Sequence, residues 1–104
     1  MTGDRAFIVV STYIERIGTD TIIILHDDEH DKSTKVGFMY MSIGNILGSV
    51  ELYKKLYGEN ELSERLSTLA DMYIQMMMQC VYGFPKDMGE KYIVKLGDIT
   101  WERK

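Results

Sequence analysis

His26, Asp27, Asp28, Glu29, His30 and Asp31 stand consecutively, and each of the six could ligate a metal or move a proton. Imidazole and carboxylate together suit zinc, manganese, iron or nickel. A metal site here would draw on His26, Asp27, Glu29 and His30. On a helix, His26 and His30 would share one face. The order is not the His-Glu-x-x-His of zinc hydrolases, because Glu29 directly precedes His30 and the chain has only 2 His. A calcium loop would need a glycine at its sharp turn, and none is present. Two other readings compete with a metal: a solvated polar loop, and a contact for a basic partner. The solvated loop is favoured.

A second stretch, 72–82, reads Met-Tyr-Ile-Gln-Met-Met-Met-Gln-Cys-Val-Tyr. A helix that is apolar nearly all round is buried on more than one side. Methionine is flexible and is over-used at adaptable binding surfaces. Met72, Tyr73, Met76, Met77, Met78, Val81 and Tyr82 are therefore expected to meet another protein or a second copy of the chain. Packing into the core is the competing reading. On the interface reading, Glu at Met77 or Met78 abolishes association and leaves the fold intact. Met72, Met76 and Cys80 also align three soft sulfur atoms that would suit Cu(I), but such a stripe is more often packing. Cys80 falls near a helix C-terminus, where the dipole disfavours a thiolate, so it is expected to be inert.

A third feature is Ser42-Ile43-Gly44-Asn45, read as a strand passing into a helix. Free amides at such a point can hold an anion. No Gly-Lys-Ser/Thr follows, so it is not a phosphate-binding loop, and Tyr40 stands where a nucleophile elbow needs glycine. No nucleophile, base and orienting group stand at credible spacing. No enzyme and no cofactor are expected. An enzyme whose site is shared across a dimer remains the third-ranked reading.

Positioning these residues requires a scaffold. Residues 6–15 and 21–26 are rich in Ile, Val and Thr and favour strands, with turn chemistry around Gly18. Phe7, Val10, Ile14 and Ile17 also share helical spacing, but the strand is preferred. Residues 35–41 give a third strand. Ser42 is expected to cap a helix ending before Gly58, and Asn60 a second one ending at Gly83, with Pro85 just beyond. Residues 91–96 and 99–102 read as strands around a Gly97-Asp98 turn. The order β-β-β-α-α-β(-β) predicts a single α+β domain over 1–104. Its antiparallel sheet of four to five strands would carry the helical hairpin on one face.

The totals narrow the occupation. The chain has 104 residues, 12 Lys+Arg against 16 Asp+Glu, and one Cys. Mild acidity argues against nucleic acid, which calls for a basic surface. No apolar run approaches the ~20 residues that span a bilayer. A single Cys excludes a disulfide framework and fits a reducing compartment. The expectation is a small cytoplasmic regulator or inhibitor that binds another protein or forms a homodimer. Compact intracellular regulators, immunity proteins and inhibitors of the phage or mobile-element anti-defence type share this profile, as an analogy of type and not a match of residues. A metal- or ligand-binding domain built on residues 26–31 is the alternative.

Overall fold

The computed structural model describes residues 2–83, together with the backbone of two strands further along. Three helices make up the body: α1 (Gly3–Leu25), α2 (Lys32–Tyr57) and α3 (Glu61–Tyr82). Strands β1 (Ile93–Leu96) and β2 (Ile99–Glu102) form a two-stranded antiparallel ribbon, with Leu96 opposite Ile99 and Ile93 opposite Glu102. Pro85, Lys91, Tyr92 and the Gly97-Asp98 turn lie outside the described residues.

The α+β sheet of four to five strands is corrected to a three-helix bundle. Residues 6–15, 21–26 and 35–41 were expected to be strands. All are helical except His26, which caps α1. Their β-branched side chains fit a strand, but β-propensity is a matter of packing context. The spacing decides instead. The buried residues of α1 are Ala6, Ile14, Gly18, Thr21 and Leu25, which fall on one helical face. Those of α2 include Met39, Ile43, Ile46, Val50 and Tyr53, again three or four apart. A helix stripe buries these side chains where an alternating strand would expose half of them. Gly18 therefore lies inside a helix and makes no turn.

Local signals fix the ends. The Thr2 hydroxyl accepts from the Arg5 amide at 3.3 Å and starts α1. Asp31 Oδ1 accepts from the Thr34 amide at 2.8 Å, so Asp31 starts α2, not Ser42. Asn60 and Ser63 form a reciprocal capping box for α3. Lys54 and Lys55 lie in the last turn of α2, where the dipole favours cations. Gly58 and Gly83 take positive φ (86° and 66°) and end α2 and α3.

The chain runs up, down and up, so α1 and α3 are parallel. Three contacts mark their register: Arg65 over the Phe7 ring at 5.6 Å, Tyr73 against Gly18, and Cys80 against His26. Ile14, Met39, Ile43, Ile46, Leu66, Ile74 and Met77 are fully buried between the three helices. Tyr53 is buried with them and donates its hydroxyl to the Gly3 carbonyl at 3.0 Å.

One polar pair crosses this core. The Thr21 and Ser42 hydroxyls lie 2.6 Å apart, both residues buried. Thr21→Val should strand the Ser42 hydroxyl and cost about 1–2 kcal/mol in urea unfolding. Adding Ser42→Ala should recover most of that loss. A single variant as stable as the parent would mean the hydroxyl pair contributes nothing.

Candidate functional site

Three helix ends meet at one pole of the bundle. His26 caps α1, Asp31 and Lys32 open α2, and Cys80 to Tyr82 close α3. The six-residue acidic stretch lies here, and its side chains diverge. His26 Nε2 turns to Cys80 Sγ at 3.5 Å. Asp27 Oδ1 accepts from the Glu29 amide at 2.8 Å. Asp27 Oδ2 lies 3.4 Å from His30 Nδ1, a nitrogen that makes no hydrogen bond, and the His30 ring stands edge-on to Phe38. Among the described residues no three His, Cys, Asp or Glu gather to hold a metal. His26, Asp27, Glu29 and His30 thus serve a cap, a turn and a ring contact, and do not converge as a ligand set.

Asp31 has a structural task. Backbone and side-chain hydrogen bonds to Thr34 hold its pKa below the ordinary value of 3.8. The lowered value sets the sign. Its stabilisation is complete above 3.8 and is lost as pH falls through the lower folded value. The gap in stability between the parent and Asp31→Ala should therefore be constant from neutrality to about pH 5 and close on further acidification. Urea unfolding across that range measures it, and a gap independent of pH would contradict it.

The methionine-rich stretch divides. Met77 and Met78 are 0% and 3% exposed, so they belong to the core. This corrects their place on a partner surface, and the expectation that Glu at either leaves the fold intact. The reason is geometric: their direction on α3 is that of Leu66, Ala70 and Ile74. Met72 and Met76 turn outward at 47% and 44% exposure, and Tyr82 is also exposed. Tyr73 and Val81 are partly buried against the core. The proposed line of three sulfurs is broken, because Met72 and Met76 face solvent while Cys80 faces His26. Ser42 lies inside α2, bonded to Thr21, and offers no nucleophile or anion site.

The Cys80–His26 pair was not foreseen. The two residues are 54 positions apart, on helices whose parallel register no local pattern reveals. A cleft of about 190 Å³ adjoins the thiol, lined by Leu25, Lys32, Lys35, Cys80 and Val81. Burial pushes the Cys80 thiol pKa up. Lys32 Nζ sits 6.0 Å from the centre of the Tyr82 ring.

No family model, curated protein or solved structure matches the chain. Among the described residues no helix is long and apolar enough to cross a membrane.

Proposed function

We propose that the protein works by binding another protein chain, with a second copy of itself the first expectation. One observation carries this. Among the described residues ten large apolar side chains are exposed: Ile8, Val9, Tyr13 and Ile23 on α1, Met41, Leu52 and Leu56 on α2, and Met72, Met76 and Tyr82 on α3. Scattered exposed apolar residues are ordinary, but neighbouring ones mark contact surfaces.

Neighbours are found along the α1–α3 seam. Gly18 meets Tyr73 and His26 meets Cys80, so the turn holding Ile22 and Ile23 stands level with Met76. Helical spacing puts the exposed Met72 and Met76 on the α1 side of α3, beside Ile22 of α1, which is itself partly buried against the core. Met and Tyr are residue types that interfaces favour. Two adaptable methionines exposed along this seam suit a docking face.

Native mass spectrometry of the parent and of Met72→Glu/Met76→Glu tests this. The parent should associate at micromolar concentration, and the variant should be a folded monomer. Association that survives both substitutions overturns the choice of face. A monomeric parent overturns self-association.

A further inference from the structure

Where α1 and α3 end and α2 begins, a thiol in contact with an imidazole lines a cleft together with two lysines. Cys80 Sγ and His26 Nε2 are 3.5 Å apart, within hydrogen-bond range for sulfur. Cys80 is a free thiol and is partly exposed. Lys32 and Lys35, one turn apart at the start of α2, line the cleft, and among the described residues no carboxylate does. We propose that Cys80 is a reactive thiol, with His26 as its base, that forms a mixed disulfide with small anionic disulfides of the glutathione class. This does not depend on the binding face along α1 and α3.

Two effects oppose a resting thiolate: burial, and the negative end of the α3 dipole. A cysteine with only these neighbours would be inert. The imidazole changes the outcome, because the proton need leave only as the sulfur attacks. The imidazolium then formed stands at the C-terminus of α1, where the helix dipole favours a cation. The lysines select the reactant. Two lysines on the wall of the sulfur's cleft disfavour a metal ion and attract a carboxylate-bearing disulfide. Of the nearby acids, Asp27 is turned to Glu29 and His30 and Asp31 to Thr34, and none of the four in 27–31 lines the cleft.

The step balances without another reagent. The Sγ proton passes to His26 Nε2, and Sγ attacks one sulfur of the disulfide. The S–S bond breaks, and the leaving thiolate takes the proton from the imidazolium. The products are the Cys80 mixed disulfide and one free thiol. The incoming disulfide is the oxidant.

The test compares a dianionic disulfide, dithiobis-nitrobenzoate, with dicationic cystamine. Each rate is normalised to that of the same chain unfolded in urea. The folded parent should react faster with the dianion than the unfolded chain does, and should disfavour cystamine. Lys32→Gln/Lys35→Gln should reduce this charge preference by about tenfold. His26→Gln should slow both reagents alike, by about tenfold or more. Intact mass should show one adduct, since Cys80 is the only cysteine. A folded chain slower than the unfolded one with both reagents would make Cys80 a shielded thiol and overturn the proposal. Equal normalised rates for dianion and dication would overturn the role of the lysines. Circular dichroism of each variant separates these results from loss of fold.

Discussion

Met77→Glu is expected to unfold the bundle, and Met76→Glu, one position earlier, to leave it folded. Met77 is 0% exposed among Leu66, Ala70 and Ile74, and no cation is buried with it among the described residues. A carboxylate there is either left unpaired or held protonated, at a cost of several kcal/mol. Domains of this size are stable by only about 5–15 kcal/mol in all. Met76 is 44% exposed, so its glutamate reaches water. Far-UV circular dichroism with urea titration measures both. A Met77→Glu variant within about 1 kcal/mol of the parent would place that side chain outside the core. Association assays on Met77 or Met78 variants would report unfolding, so the binding face must be tested at Met72 and Met76.

Gly18→Leu is the second large effect. Gly18 sits within α1, and a Cβ built there would lie under 3 Å from the Tyr73 ring, inside van der Waals contact. Helix propensity alone makes leucine better than glycine by about 0.8–1 kcal/mol. Any loss of stability is therefore steric. The ring atoms in the way are those nearest the Tyr73 backbone, so rotating the far end of the side chain does not clear them. Overpacking of this kind costs about 1–3 kcal/mol per insertion, and a whole leucine at a helix seam should lie at or above the upper end. Gly18→Ala should lose less, because its propensity gain offsets part of the clash. Combining Gly18→Leu with Tyr73→Ala should restore part of the loss. Urea midpoints for the four proteins give the order, and a Gly18→Leu variant more stable than the parent would show that the seam opens freely.

The sequence carried more of the fold than the expected sheet suggests. Asn60, Gly58 and Gly83 mark helix boundaries where cap chemistry demands them, and all three act as caps. The failure lay upstream. Runs such as Ile22-Ile23-Ile24-Leu25 contain no polar residue to reveal a period, and β-branched composition then decides in favour of a strand. The helical spacing of Phe7, Val10, Ile14 and Ile17 was visible, and it carried the fold. In α2 the outward Met41, Leu52 and Leu56 hide the buried stripe, so no amphipathic pattern shows where the helix begins. Asp31 gave that start, but it was read as part of an acidic loop.

The candidate site was less legible. The residue types were singled out, but their partners were not. His26 was grouped with its neighbours in sequence, and Cys80 with the methionines one and two turns back. Each instead meets the other across the pole of the bundle. A pairing 54 residues apart depends on which helix ends are brought together. Neither the spacing within 26–31 nor that within 72–82 contains that information.

The parallel pairing of α1 with α3 also bears on how the chain acquires its shape. Phe7 with Arg65, Gly18 with Tyr73 and His26 with Cys80 all join the first helix to the last of the bundle. Such contacts raise the mean sequence separation above that of neighbouring-helix pairs, which slows folding relative to a purely local bundle. On the ribosome the delay is longer. At about 5–20 residues per second, the roughly 55 residues between the end of α1 and the end of α3 take about 3–11 s to make. In the first part of that interval α2 is itself incomplete, and from the end of α2 to the end of α3 the apolar stripe of α1 has only α2 to cover it. The nascent chain passes through a two-helix stage with its future α3 groove open, and completing α3 closes that groove.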